Sequence, residues 1–544
     1  MISLSLNNIK LVLGARTLFS GLNFELGEDQ RIGLIGPNGA GKSSLFKLIT
    51  GEFQPEAGGS LVKARGVRLG YLPQEPTLDL EKTALELSLA GCTRMIEVNF
   101  QLEQIEARLG QEEVYNNERR LSQTLAEQQS LLDEYQQLGG DQYPQRVHDL
   151  LRGLGLPEAD LEKPLRFLSG GQKKLVGLAR LLLDQPEVLL LDEPDNHLDL
   201  KAKSYLESLI QNYHGAVVII SHDRYLLDAV ATDIAELEDG RLNVFHGDYS
   251  SFILDKQLKM ARQNELFQVQ QKQIARIESA IKRYSIWAKT YDNEKFAKRA
   301  HAIQNRLDKM DRIERPVMER RRMELRLQGW RGSNKVLEFK KVSKGFGPRQ
   351  LLKEVDLTLY HGERVGVIGE NGMGKSVLMK LALGQVAADN GEVVLGPSIT
   401  TAYYAQEHET LEMDQTLLQT VQLSGNMGES AAVAFLGKFL FDYRMTSQKV
   451  RSLSGGERSR LQLALVMLSR ANFLLLDEPT NNLDIASAEV LEENLSDFEG
   501  TALIISHDRY FLDQVVDRIL TIRNGKLVSH TGGYSDYLAS LGES

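Results

Sequence analysis

A single cysteine among 544 residues, Cys92, excludes an internal disulfide, a thiolate-rich zinc site and an iron–sulfur cluster. It reads as a small apolar residue of a core. The ten histidines are scattered, without the close spacing of a metal cluster. No apolar run approaches the roughly 18 to 20 residues needed to cross a bilayer, and the first residues alternate like a strand, with no basic segment leading into an apolar one. A soluble, cytoplasmic protein is the expectation. Basic excess is lacking too, since 64 Lys and Arg face 74 Asp and Glu for a formal charge of -10. Any polyanionic partner must therefore be met locally. What is present, 42% apolar residues over this length, suffices for two or three domains with full cores.

One stretch departs from the acidic background. Residues 255–331 hold 20 Lys and Arg against 10 Asp and Glu, about +10, which leaves the remainder near -20. Phe267, Ile274 and Ile281 fall every seven positions, with Ile277 and Tyr284 in a second column; after KTYDNEK the pattern resumes at Phe296, Ala300, Ile303, Leu307 and Met310. Two helices joined by a short polar loop are predicted. Near the tip lie Lys282, Arg283, Lys289, Lys295, Lys298 and Arg299, cations suited to phosphates, with Trp287 and Tyr291 able to stack on bases. The plainer reading is that these charges only solvate an interdomain hairpin.

Either side of this stretch the chain carries the same motifs twice. GLIGPNGAGKSS, LGYLPQE, LSGGQKK, VLLLDEPDNHLD and IISHDRYLLD are answered by GVIGENGMGKSV, TAYYAQE, LSGGERSR, FLLLDEPTNNLD and IISHDRYFLD. Signature Ser to Walker Asp is 23 residues in both copies, and that Asp to the His of SHDRY is 30 in both. Two homologous domains are expected, 1–253 and 333–544, with the linker at 254–332. One interval breaks the match: Gln74 to Ser169 is 95 residues, whereas Gln406 to Ser454 is 48. The excess lies around 90–140, rich in Glu, Gln and Leu, and predicts an acidic helical arm in the first domain only.

Each motif has a chemical reason. A strand, then Gly36, Pro37, Asn38, Gly39, Ala40, Gly41, Lys42, Ser43 and Ser44, then a helix, make a phosphate-binding P-loop; Gly369, Glu370, Asn371, Gly372, Met373, Gly374, Lys375, Ser376 and Val377 repeat it. Backbone N–H groups and the helix N-terminus face the phosphates, Lys42 and Lys375 bind the β and γ groups, and Ser43 and Ser376 hold Mg2+. Asp192 and Asp477 close buried apolar strands and are placed for the same ion. Glu193 and Glu478, the next residues, suit the task of taking a proton from the attacking water. His222 and His507 end another apolar strand, within reach of the γ-phosphate. Gln74 and Gln406 have the shape of further metal and water ligands. Ser169, Gly170, Gly171 and Gln172, like Ser454, Gly455, Gly456 and Glu457, open a helix as an anion site whose own domain already has a P-loop; its simplest use is on the other domain's nucleotide.

On these motifs the chain resembles the ABC ATPase superfamily. The resemblance implies an α/β fold of two tandem P-loop ATPase domains packed head to tail around two ATP. One site would join Lys42, Ser43, Gln74, Asp192, Glu193 and His222 to Ser454, Gly455 and Gly456; the other would join Lys375, Ser376, Gln406, Asp477, Glu478 and His507 to Ser169, Gly170 and Gly171. An adenine-stacking aromatic is supplied by Phe346 in the second copy, where the first offers Leu13. Asp195 stands where the second copy has Thr480, and Leu175 where it has Arg460. The two sites are therefore expected to be unequal.

An arm in the first domain, a charged helical linker and SHDRY-[LF]-LD in both halves resemble the ABC-F family in particular. That likeness implies a monomeric factor at the ribosomal exit site, with rRNA as a partner and the linker directed toward the P-site tRNA and the peptidyl transferase centre. A housekeeping translation factor and an antibiotic-resistance factor share these motifs. Ending at GGYSDYLASLGES, the chain is read as lacking the C-terminal coiled coil of some relatives. The reading from another class is the ATPase engine of a transporter or of a DNA-associated complex.

Overall fold

The computed structural model describes residues 2–14, 16–56, 58–196, 198–290, 294–308, 310, 323–347, 349–406 and 409–542. They form two compact units: Met1–Asp248 together with Arg322–Ser544, and Tyr249–Arg321.

The larger unit holds two tandem α/β domains, each built on a six-stranded sheet. In the first, the spatial order is Leu69–Leu72, Val188–Asp192, Ala216–Ile220, Arg31–Ile35, Asp233–Glu238 and Arg241–His246. The first five strands run parallel and the last is antiparallel. In the second, the order is Thr401–Tyr404, Phe473–Asp477, Thr501–Ile505, Arg364–Ile368, Arg518–Arg523 and Lys526–Thr531, with the same directions. The runs VLLLD, AVVII, FLLLD and TALII are buried at every residue, as befits parallel strands covered on both faces. Each domain adds a three-stranded antiparallel sheet, Arg16–Gly27, Ile2–Leu13 and Ser60–Lys63 in one, Arg349–Tyr360, Lys335–Phe346 and Asn390–Leu395 in the other.

This topology positions the site. Four neighbouring parallel strands end on one edge of the sheet, and at that edge stand, in order, Gln74, the Asp192–Glu193 pair, His222 and the first P-loop. Residues scattered over nearly 190 positions of sequence converge because ligand-binding loops gather at the carboxyl ends of parallel strands.

The extra segment of the first domain is helical, as expected: Thr93–Leu109, the single turn Glu112–Tyr115, and Glu118–Gln137. The two long helices pack with Met95, Val98, Ile105 and Thr124 buried, and Arg94–Glu134 (2.6 Å) and Arg108–Glu127 (3.3 Å) link them. Cys92 is buried at the head of the first of these helices.

The smaller unit is a helical hairpin of Tyr249–Thr290, 42 residues, and Glu294–Asp308, 15 residues. The heptad positions Phe267, Ile274, Ile277, Ile281 and Tyr284 are half-buried, and Leu307 is buried. Its arms are unequal, and Pro316, a residue that cannot continue a helix, lies outside the described residues.

Candidate functional site

Both P-loops have the geometry their glycines require. Gly36 sits at φ 149°, and a Cβ there would lie 2.3 Å from the Leu237 carbonyl oxygen of the adjacent strand. Its loop leads into helix Lys42–Thr50, whose N-cap, Gly41, offers no side-chain acceptor. The first N–H groups of that helix are thus left for a ligand; helix Lys375–Ala382 begins in the same way at Gly374. Lys42 Nζ donates to the carbonyls of Gly36 (2.7 Å) and Pro37 (3.3 Å), and Lys375 Nζ to those of Gly369 (2.6 Å) and Glu370 (3.2 Å). Burial pushes both ammonium groups below their ordinary value. Carboxylates oppose the shift, Glu193, Asp484 and Asp192 around Lys42 and Glu478, Asp199, Asp477 and Glu370 around Lys375.

The four Walker carboxylates lie at the strand ends. Asp192 and Asp477 are buried, which raises them, while hydrogen bonds from Ser43 and Ser376 pull the other way. Asp192 Oδ2 is buried with no partner. Glu193 and Glu478 turn the chain at φ 50° and 52°, a conformation that costs about 1–3 kcal/mol outside glycine and recurs at functional positions. Their N–H groups still donate to the neighbouring strand, at Ile220 and Ile505. The two side chains differ. Glu193 Oε2 accepts from Gln74 Nε2 (2.9 Å) and Asn196 Nδ2 (2.7 Å), whereas Glu478 Oε2 accepts from the His507 N–H (3.1 Å) and its Oε1 has no partner. Burial raises Glu193 and pushes Glu478 up to about 7.

His222 and His507 approach these carboxylates at 3.8 and 3.6 Å. Neither contact is an ion pair at neutral pH. Burial, reinforced by Lys42, lowers His222 to about 3, and burial with Lys375 and Lys203 takes His507 well below its ordinary value, so both imidazoles are neutral. Both ring nitrogens of His222 are unpartnered, while His507 Nε2 lies 3.0 Å from Lys375 Nζ.

The two halves clasp one another at the P-loops. Asn38 N–H donates to Asp484 Oδ2 (3.0 Å) and Asn38 Nδ2 to the Asn482 carbonyl (3.0 Å), both in the second half. Gly456 of the second signature lies so close that a Cβ there would stand 2.5 Å from Asn38 Nδ2. In reciprocal fashion Asn371 N–H donates to Asp199 Oδ2 (3.4 Å), and an exposed pair joins Lys201 to Glu370 (2.5 Å). The structure therefore brings the second signature and the first P-loop together.

Ser169 and Ser454 are the N-caps of helices Gly170–Asp184 and Gly455–Ser469. The side chains of Gln172 and Glu457 are used in the reciprocal capping bonds to these serines, and Gln172 also donates to Asp160 (2.7 Å). Gln406 is exposed just beyond its strand, and Phe346 is exposed with Lys344 Nζ 5.4 Å from its ring centre.

Three features of the site went unread in the sequence. Lys174, in the first signature helix, is buried and donates to the Glu193 carbonyl at 2.6 Å; its counterpart in the second half is Ser459. Asn196 reaches Glu193. The arginines of SHDRY cross between halves, Arg224 to Glu492 at 3.1 Å and Arg509 to Glu207, and these are the same two positions of the repeat used in each direction. Lining the two copies up residue by residue exposes the first difference; the crossing pairs have no signal beyond the repeated Arg and Glu.

In the hairpin, Arg283 lies over the rings of Tyr284 (5.9 Å) and Trp287 (5.7 Å), Arg299 lies over Tyr284 (5.7 Å), and the two rings meet edge to face at 5.7 Å. Lys282, Lys295 and Lys298 are exposed. Lys289 is on the first helix, and Tyr291 lies outside the described residues.

Among known proteins, a family described as ABC transporter matches residues 19–196 and 352–481, and a second family of the same description matches 235–327. The putative ATP-binding protein YdiF of Bacillus subtilis is 34% identical over 541 residues, which cover 99% of this chain and 82% of that protein. ABC transporter F family member 5 of Arabidopsis thaliana is 33% identical, with 98% and 77% covered. Among solved structures, an archaeal ribosome recycling factor in complex with an archaeal ribosomal stalk protein superposes with a TM-score of 0.63 at 20% identity, covering 98% of this chain and 92% of that one. The RNase-L Inhibitor gives 0.61 at 19%, covering 98% and 93%. These two likenesses are of fold. Among the described residues no helix is long and apolar enough to cross a membrane.

Proposed function

This chain belongs to the ABC-F family, and from that premise we propose that it is a Mg2+-dependent ATP hydrolase acting on the ribosome, a cytoplasmic monomer whose two halves close on two ATP molecules. The observation that carries the ATP clamp is the reciprocal clasp, Asn38 to Asp484 and Asn371 to Asp199, which sets each P-loop against the other half.

In this reading the P-loop N–H groups with Lys42 and Lys375 take the phosphates, and Ser454, Gly455, Gly456 and Ser169, Gly170, Gly171 close over them from the opposite half. The unpartnered Asp192 Oδ2 beside the Ser43 hydroxyl is a hard-oxygen set of the kind Mg2+ prefers; Ser376 and Asp477 repeat the pair, with Gln74 and Gln406 as further ligands. The ion, when bound, neutralises charge on the β and γ oxygens. Glu193 and Glu478 receive the proton of the water whose oxygen bonds to the γ-phosphorus as the bond to ADP breaks. The neutral rings of His222 and His507 stand beside them to orient the phosphate. Phe346 stacks on one adenine.

The ribosomal part rests on the family and on the hairpin. A net charge near +10 with Arg283, Tyr284, Trp287 and Arg299 gathered at one end combines cations and ring faces, the chemistry that binds phosphates and unstacked bases of RNA. We assign the exit site as the seat of the ATPase halves and the P-site tRNA and peptidyl transferase centre as the target of the hairpin. Shortening the segment from Tyr284 to Arg299 tests this. Ribosome-dependent activity should be lost while basal ATP hydrolysis stays within about twofold of the parent. Unchanged ribosome-dependent activity would refute a tip mechanism. Drug sensitivity on deletion and on overexpression of the full chain separates a general translation factor from one that protects against antibiotics.

A further inference from the structure

Besides Lys174, the two halves differ in chemistry at a second buried lysine. Helices Leu200–Gln211 and Ile485–Ser496 begin at equivalent caps, Asp199 and Asp484, and four residues beyond each cap stand Lys203 and Ala488. Lys203 is 7% exposed. Its Nζ donates to Asp223 Oδ2 (2.8 Å) and to the backbone carbonyl of His507 (2.9 Å). Asp223 comes directly after His222 of the first site and caps the helix Arg224–Val230 through Leu226 N–H (3.1 Å). His507 belongs to the second site, where its N–H donates to Glu478 Oε2 and its ring meets Lys375. A side chain of the first half thus holds the backbone of the second site's histidine from behind. Ala488 has no group with which to return the contact.

A second difference accompanies the first. Asp195, in DEPD, is buried near Lys203 with one oxygen unpartnered, and the second half has Thr480 there. Lys203 pairs with Asp223 and also lies in the field of Asp195, whereas the second half repeats neither Lys203 nor Asp195.

We propose that Lys203 is a positioning residue for the second ATP site, tying the loop that carries His507 to the loop that carries His222, so that hydrolysis at the second site depends on the placement of the first half. A buried ammonium bonded to both loops is a rigid link; moving Asp223 moves the His507 carbonyl, and with it the N–H that orients Glu478. Shifts of about 1 Å in such supporting groups commonly cost on the order of a hundredfold in rate. In the first site Lys203 reaches only Asp223, one residue beyond His222, and Ala488 offers no group to hold the histidine backbone itself.

This inference rests on the two-site ATPase reading, and the test keeps the two apart. Glu193→Gln leaves the second site as the working one, and Glu478→Gln leaves the first. Into each we would place D195T/K203A, which gives the first half the residues of the second and leaves Asp223 with Arg509, at 3.6 Å, as its charge partner. With only the second site working, kcat should fall at least tenfold with KM for ATP unchanged. With only the first site working, both constants should stay within about twofold. Equal losses in the two backgrounds, or no loss at the second site, would overturn the role of Lys203. Should Glu193→Gln and Glu478→Gln combined leave ATPase activity intact, the two-site reading itself is refuted. Thermal melting of D195T/K203A alone reads the stability lost with the Lys203–Asp223 pair; a lowered midpoint with a loss confined to the second site keeps the proposal, and a lowered midpoint with equal kinetic losses is the outcome of a merely structural lysine and counts against it.

Discussion

Glu193→Gln combined with Glu478→Gln should lower ATP turnover by about two to four orders of magnitude, the range expected when a positioned general base is removed. Glutamine keeps the size of the side chain and an oxygen acceptor, so Gln74 and Asn196 at residue 193, and the His507 N–H at residue 478, retain a partner. The capacity to accept a proton is what disappears. ATP affinity should therefore change little, and the closed clamp should persist. Each single variant should keep part of the rate, in unequal shares, because Glu193 is held by two side-chain amides and Glu478 by a backbone N–H under deeper burial. Phosphate release measured alongside nucleotide binding decides this; a double variant retaining more than about a tenth of the parent rate would show that other groups activate the water.

Arg509→Ala should be the most destabilising single change at the contact between the halves, by about 3–5 kcal/mol. Arg509 is 7% exposed and pairs with Glu207 and, at 3.6 Å, with Asp223, so its loss strands carboxylates in a buried setting. Its ring contact with Tyr225 at 5.1 Å goes as well. The symmetric change, Arg224→Ala, should cost less below neutral pH than above it. Its partner Glu492 is pushed up to about 7 by burial even with Arg224 in place. Without the arginine, Glu492 can take up a proton in the folded protein, and the penalty of an unpaired charge applies only once pH exceeds its folded value. The wild-type sign is consistent: an acid raised in the folded state makes stability fall as pH rises from about 4.5 to about 7. Unfolding midpoints at pH 6 and pH 8 for both variants check the size and the pH sense. Removing Arg509 and Glu207 together with apolar replacements should recover much of the loss, since no charge is then left alone.

Much of the architecture was legible because the motifs come with their own context. Five-residue apolar runs ending in Asp can only be buried strands of a covered sheet, and a Gly-rich turn between such a strand and a helix has one use. The seven-residue spacing from Phe267 to Ile281 likewise announced the long helix. What could not be read was which group faces which across the two halves. Asn38 is one more P-loop residue in the sequence, and only the packed structure puts it against Asp484 and Gly456. Gln172 and Glu457 had a legible local meaning that a nucleotide-centred reading passed over: Ser-Gly-Gly-Gln and Ser-Gly-Gly-Glu satisfy the capping-box pattern, and the side chains cap. Lys174 and Lys203 carry no mark in the sequence that separates them from the other lysines of the chain. They prove to be buried because neighbouring halves and strand ends cover them, information that resides in tertiary contacts.

The most direct test of a two-site ATP clamp serving the ribosome is co-sedimentation of the Glu193→Gln, Glu478→Gln protein from cell extract, with ATP and without. The expected result is retention on ribosomes in ATP and release in its absence. Recovery with membranes or DNA instead, or ribosome binding indifferent to ATP, would contradict it.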